Sequence, residues 1–110
     1  MTNSEPEIDQ GGSPNSTSIR SISGILLEDQ ERVRACVDFS DLSQSPTVEL
    51  ALLDPQNCEI TRAIILGVFN PHLEFTLHLG KYIYNPPIYL SCVVSLENGR
   101  ILIEEKVRVN

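Results

Sequence analysis

The strongest constraint on the fold lies in residues 88–110, where two β-prone runs flank the dipeptide Asn98-Gly99. Asn-Gly suits both central positions of a type I′ turn, which require positive φ angles, so the stretch predicts a tight β-hairpin. A two-residue loop also sets which residues face each other across the hairpin. The predicted pairs run outward from Glu97–Arg100 to Ile88–Val109.

This register sorts the hairpin side chains onto two faces. The face predicted to be buried collects Ile88, Leu90, Cys92, Val94, Leu96, Ile101, Ile103, Val107 and Val109. The opposite face is mostly polar, which is typical of an antiparallel pair that buries one face. Glu105 is the exception, because it falls on the apolar face opposite Cys92. We expect a bulge or the projecting end of the hairpin to turn Glu105 to solvent; the alternative is a partly buried ion pair with Arg34 or Arg62.

The rest of the chain contains five further strand candidates separated by turn signals. They cover residues 19–28, 32–39, 47–53, 59–69 and 73–79. In the first, Gly24 predicts a bulge or a close backbone approach. For the second, a helix over residues 26–37 is the competing interpretation, but the alternation of apolar and polar residues favours a strand. Asp54-Pro55 predicts a type I turn before the fourth strand.

Seven strands with frequent turn signals predict an all-β fold, a seven-stranded antiparallel sandwich of two sheets. In strand count and spacing, residues 19–110 resemble the immunoglobulin and fibronectin type III architectures, and no more specific family is indicated. Residues 1–18 carry three acids and little apolar surface, which predicts a disordered acidic tail. The chain is therefore expected to be one β-sandwich domain, residues 19–110, preceded by that tail.

Composition and charge limit the classes of partner. The chain has 110 residues and a formal net charge of −7. That charge argues against binding to nucleic acid or to anionic membrane surfaces, which requires clustered Lys and Arg. No apolar run is long enough to span a bilayer, and the N-terminus lacks the pattern of a signal peptide. We therefore expect a cytoplasmic, reduced protein.

The cysteines fall partly where immunoglobulin domains place a disulfide. Cys36 and Cys92 lie on the second and sixth predicted strands. Their faces differ, because Cys92 shares the apolar face of the hairpin while Cys36 shares a face with Arg34 and Asp38. We therefore expect three free thiols, with Cys92 buried and Cys36 and Cys58 near the surface.

Signals for catalysis, metals and cofactors are weak. His72 and His78 are not spaced as metal ligands, and we expect both to be solvated. No serine lies in a nucleophile motif, and no glycine-rich loop could hold a phosphate. The sequence therefore predicts no catalytic residues, no metal and no cofactor, although a site assembled only by the fold leaves no motif in a sequence.

Two stretches are candidates for binding another molecule. The loop over residues 81–89 concentrates Tyr82, Tyr84, Pro86, Pro87 and Tyr89, and such rigid amphipathic surface is typical of interfaces. The alternative is that these tyrosines cap the end of the sandwich. The second candidate is the fourth strand, residues 59–69, whose apolar part would invite strand addition or dimerisation if it lay at an exposed edge. The alternative is that this strand is buried in the core on both faces.

The function that the sequence favours is a non-enzymatic interaction module. It would bind a protein partner through the loop over residues 81–89 or through an edge strand. Self-association as a structural subunit is the second hypothesis, and binding of a small ligand or carbohydrate by exposed tyrosines is the third.

Overall fold

The computed structural model describes residues 17–42 and 44–110, so all but the last two residues of the predicted tail lie outside it. The described residues form seven strands and no helix. The strands are β1 (Ser18–Leu26), β2 (Arg32–Ser40), β3 (Thr47–Leu53), β4 (Glu59–Ile65), β5 (His72–His78), β6 (Tyr89–Ser95) and β7 (Ile101–Arg108). Pairing is antiparallel throughout, in one sheet of order β1-β2-β5 and another of order β4-β3-β6-β7. The predicted two-sheet sandwich is confirmed, and the competing helix over residues 26–37 is not formed.

The position of β4 decides which strands are edges. β4 pairs with β3, whereas the fourth strand of a constant-type immunoglobulin domain joins the sheet of the first strand. The chain then crosses to the other sheet to form β5. β4 and β5 are outer strands of their sheets and contact each other, while the other two outer strands, β1 and β7, meet on the opposite side of the sandwich. Residues 17–42 and 44–110 contain no α-helical segment that could serve as a membrane span.

The core is aliphatic and follows the period-2 alternation of the strands. In β2, Val33, Ala35 and Val37 are fully buried, while the residues between them face outward. The other fully buried hydrophobic residues come from the middle strands of the second sheet and from the residue before β6. They are Val48, Leu50, Leu52, Ile88, Leu90, Cys92 and Val94. The two sheets therefore meet through rows of branched side chains.

Most of the predicted hairpin register is observed between β6 and β7. The pairs run from Tyr89–Arg108 to Val94–Ile103, as predicted. The turn is different. The N–H of Gly99 donates to the carbonyl of Leu96 at 2.8 Å, and the N–H of Leu96 donates to the carbonyl of Arg100 at 2.8 Å. These bonds make a three-residue loop in which only Gly99 has a positive φ, +86°, so the predicted type I′ turn is wrong.

A second irregularity restores the register. The three-residue loop shifts the pairing by one residue, so that Ser95 faces Ile101, and the shift at the next pair leaves Leu102 as the extra residue. As a result Ile101 points outward and is 58% exposed, although the sequence placed it on the buried face. Leu102 instead packs against the core.

Glu105 lies opposite Cys92 as predicted, and it is exposed. The ladder is regular at this point, so no bulge turns the side chain outward. β7 is an edge strand, and Glu105 reaches water from there. Arg62, one of the two alternative partners, pairs with Glu49 and Glu59 instead.

Backbone hydrogen bonds join the two sheets on the side where β1 meets the end of the chain. The N–H of Asn110 donates to the carbonyl of Gly24 at 2.9 Å, and the N–H of Leu26 donates to the carbonyl of Asn110 at 2.9 Å. Gly24 allows this approach, because a Cβ at that position would lie 3.0 Å from Cγ2 of Val109 and 3.5 Å from Cβ of Leu90. The predicted close backbone approach is therefore present, while the bulge in β1 lies between Ile19 and Ser21.

Replacing Gly24 with valine should separate the two sheets on this side. Val109 is only 4% exposed and cannot move into solvent. We expect Gly24→Val to lower the free energy of unfolding by about 1–3 kcal/mol, measured by urea denaturation. Ser23→Val is the matched control, because Ser23 points outward and the same branched side chain there should change stability much less. Equal losses in both variants would contradict the close approach.

Candidate functional site

The two edges of the four-stranded sheet differ in charge. β7 carries Glu104, Glu105, Lys106 and Arg108 among eight residues, whereas β4 carries only Glu59 and Arg62 among seven. Charged side chains along an edge discourage pairing with another strand. β7 is therefore protected in this way, and β4 is much less so.

Exposed apolar side chains continue from β4 into the segment that crosses to β5. Ile64 is 56% exposed, Leu66 77% and Phe69 80%. Ile64 points away from the core because it pairs with Glu49, between the buried residues Val48 and Leu50 of β3. We call Ile64, Leu66 and Phe69 the β4 patch.

The crossing segment, residues 66–71, is fixed at Val68 and at Pro71. Val68 is buried, and its N–H donates to the carbonyl of Pro46 at 2.9 Å. Further along, the carbonyl of Pro71 accepts from the N–H of Phe39 at 2.8 Å. With its backbone held in this way, the segment presents Leu66 and Phe69 beside a groove of about 210 Å³.

The sequence placed the end of the fourth strand four residues too late. The strand ends at Ile65, and Gly67 with a φ of +63° turns the chain away. An isolated glycine inside an apolar run was the available signal for this break. The sequence-based alternative that this strand is buried on both faces is wrong, since Ile64 and Leu66 are exposed.

A cluster of charged side chains lies on the outer face of β3 and β4. Arg62 forms ion pairs with both Glu59 and Glu49, and its Nη2 lies 2.7 Å from Oε1 of Glu59. Two carboxylates therefore share one guanidinium, and the cluster keeps one net negative charge beside the edge of β4.

A similar arrangement lies on the outer face of β2 and β5. The ring of His72 contacts Asp38 through Nδ1 at 2.6 Å and Glu74 through Nε2 at 3.1 Å. His72 is exposed, as predicted, but its ring also contacts two carboxylates, which the sequence did not predict. Asp38 also accepts a hydrogen bond of 2.8 Å from the hydroxyl of Ser21. The sequence did not reveal this cluster, because its members come from three strands.

These contacts determine what His72 can do. The hydrogen bond to Asp38, followed by that to Glu74, raises the pKa of His72 above its usual value of 6.5. The same contact with His72 is the main cause that lowers the pKa of Asp38. Both ring nitrogens are engaged by carboxylates, and Ser21 contacts Asp38 rather than the imidazole. The cluster thus lacks the hydroxyl–imidazole contact that activates a serine nucleophile. Within the described part of the chain, no three His, Cys, Asp or Glu side chains are arranged to hold a metal ion.

The loop over residues 81–89 turns much of its aromatic surface inward. Tyr82 and Tyr84 are half-buried against the core, and the hydroxyl of Tyr82 donates to the carbonyl of Asn85 at 3.3 Å. The Pro86-Pro87 peptide is cis. Pro86 is exposed and Pro87 is half-buried, and Ile83, at 86%, is the most exposed large hydrophobic residue described. The half-burial of Tyr82 and Tyr84 favours the alternative in which they cap the end of the sandwich, while binding of a partner by the loop stays a prediction.

Tyr89 is separate from the other two tyrosines, because it belongs to β6 and is half-buried. The ammonium group of Lys106 on β7 lies 5.4 Å from the centre of its ring. At this distance a cation–π attraction contributes to the pairing of the two strands. Of the five residues predicted to bind a partner, Pro86 is exposed and the other four are half-buried.

The cysteines are as predicted. All three are free, with Cys92 buried, Cys36 half-buried and Cys58 exposed. Burial, followed by the charge of Glu105, raises the pKa of the Cys92 thiol to about 12.

Comparison with known proteins supports the fold. No family model matches the chain, and a search of curated proteins found no match. Two crystal structures of the β-glucuronidase of Parabacteroides merdae are similar, one of them with glycerol in its active site. Their TM-scores are 0.59 and 0.58, their sequence identities 10% and 9%, and each match covers 84% of this chain but 13% of the enzyme. At this identity the likeness shows a shared β-sandwich fold alone.

The charge of His72 should depend on Asp38. We expect NMR titration to give His72 a pKa above 6.5 in the wild type, and Asp38→Asn to move that pKa back toward 6.5. Because the folded-state pKa is the raised one, the stability from this contact is fully present below pH 6.5 and is lost as pH rises through the folded-state pKa. An unchanged pKa in Asp38→Asn would show that the carboxylate does not hold the imidazolium.

The three thiols should differ in their reaction with iodoacetamide. Cys58 is exposed, whereas Cys92 is fully buried with a pKa raised to about 12. We expect peptide mass spectrometry to find Cys58 labelled first and Cys92 labelled only in denaturant, since the thiolate is the reactive form. Cys58→Ser should remove the fast phase. Rapid labelling of Cys92 in the native protein would contradict its burial.

Proposed function

We propose that this chain is a non-enzymatic interaction module that binds a protein partner by strand addition at the edge of β4. The observation that carries the proposal is the combination of an edge strand with few charges and the adjoining β4 patch. Backbone groups on such an edge supply affinity, and side chains beside it supply specificity. The loop over residues 81–89 is the weaker candidate, since Tyr82 and Tyr84 are half-buried.

The alternatives carry less support. Self-association would use the same edge of β4 but would bring together two chains of net charge −7. A carbohydrate or small-ligand site was suggested by exposed tyrosines, and their partial burial weakens that suggestion. The three free thiols are compatible with a reducing compartment, which supports the proposal that the module acts in the cytoplasm.

The test is capture of a partner from a lysate of the source organism. The variant Ile64→Ser, Leu66→Ser, Phe69→Ser should fail to retain a partner that the wild type captures, and thermal unfolding should show that it is still folded. Ile83→Ser and Ile101→Ser are the matched controls, because they remove exposed apolar side chains elsewhere. In the complex, hydrogen exchange at the amides of β4 should slow. If Ile83→Ser abolishes capture and the triple variant does not, the partner binds the loop over residues 81–89 and not the edge of β4.

A further inference from the structure

The charge of the chain is concentrated around the strands that contain the candidate site. Residues 35–80 hold six acids and one base, a sum of −5. The acids are Asp38, Asp41, Glu49, Asp54, Glu59 and Glu74, and the base is Arg62. The other described residues hold six acids and seven bases, a sum of +1. The stretch that includes β3, β4 and β5 is therefore acidic, and the bases nearest to it on the neighbouring strand are Arg32 and Arg34 of β2, which pair with His78 and Thr76 of β5.

On the side of the sandwich formed by β4 and β5, ion pairs compensate only part of this negative charge. On one sheet Arg62 is shared by Glu49 and Glu59, and on the other His72 is shared by Asp38 and Glu74. Each cluster thus has two carboxylates for one basic side chain. Such a surface attracts a cationic partner and repels a second copy of the same acidic side.

The geometry of β4 also sets the pattern that an added strand would need. The side chains of Thr61, Ala63 and Ile65 face the core, because each pairs with a fully buried residue of β3. Their neighbours Arg62 and Ile64 face outward, on the same side as Glu49. A strand beside β4 would alternate in the same way, with one set of side chains toward the core and the other toward the carboxylates.

We infer that the occupant of the β4 edge is an extended segment in which apolar residues alternate with Lys or Arg; this inference rests on the proposed function. The apolar side chains would extend the core beside Ala63 and Ile65. There they would also cover Phe75, which faces the core from β5 but is 37% exposed. The basic side chains would lie along the outer face and add a second cation for the carboxylates of Glu49 and Glu59, which share Arg62.

The experiment uses three blocked peptides of about nine residues, the length of a long strand. One alternates Lys with Val, one alternates Ser with Val, and one alternates Glu with Val. Each is titrated into the full chain, labelled with ¹⁵N, and amide shifts are followed. We expect the Lys peptide to shift the amides of β4 and of residues 66–69, the Ser peptide to bind at least about threefold more weakly, and the Glu peptide not to bind.

Charge variants supply the matched control. Glu49→Gln with Glu59→Gln should weaken the Lys peptide by roughly three- to tenfold, because Arg62 is then left as an uncompensated cation. Glu104→Gln with Glu105→Gln removes the same charge from the edge of β7 and should leave binding at β4 unchanged. Equal weakening by both pairs would show attraction by net charge alone and would overturn the inference.

Other outcomes separate this inference from the proposed function. If the Ser peptide binds β4 as tightly as the Lys peptide, the basic pattern is wrong while strand addition stands. If none of the three peptides shifts the β4 amides, the proposed function fails together with the inference. If sedimentation shows a dimer that the β4 patch variant abolishes, the occupant is a second copy and the inference is overturned.

Discussion

Two open sheets stacked face to face have four outer strands, two on each side of the stack. The backbone hydrogen bonds of Asn110 with Gly24 and Leu26 join the sheets on only one of these sides. There the sheets are joined almost edge to edge, because Gly24 leaves room for the side chain of Val109. On the opposite side β4 and β5 have no such bridge among the described hydrogen bonds. The chain spans this gap with residues 66–71, which cover part of the core and leave Leu66 and Phe69 in solvent. The candidate site lies at the edge of β4 because, among the described residues, backbone hydrogen bonds join the two sheets only on the opposite side of the sandwich.

Local patterns predicted the strands well, because period-2 alternation is a property of neighbouring residues. β3 has the predicted bounds, and six pairs of the β6–β7 ladder have the predicted partners. The loop type was wrong for a reason that is also local: Glu97 joins the turn, Asn98 keeps a negative φ, and its side chain accepts the N–H of Arg100 at 2.9 Å. The extra residue Leu102 then cancels the shift. The sequence pattern therefore predicted most of the register correctly, although it missed two irregularities that shift the register in opposite directions.

The candidate site was harder to predict because it depends on sheet order. That β4 is an edge follows from pairings between β3 and β6 and between β2 and β5, which join residues far apart in the sequence. The contact of His72 with Asp38 spans 34 residues. The apolar run at residues 63–66 was visible as a candidate edge, but its exposure could not be separated from burial without knowing its neighbours. The tyrosines of the loop, in contrast, are a signal of composition alone, and Tyr82 and Tyr84 are half-buried against the core.

The order of strands along the chain also has a consequence for folding. The first two strands belong to one sheet, the next two to the other, β5 returns to the first, and β6 and β7 complete the second. No continuous piece of the chain contains one whole sheet without strands of the other. The hairpins β1–β2, β3–β4 and β6–β7 can form from local contacts, but the pairings that unite them close long loops and are slow. The two sheets should therefore gain and lose their structure together, as one cooperative unit rather than as two layers that assemble in turn.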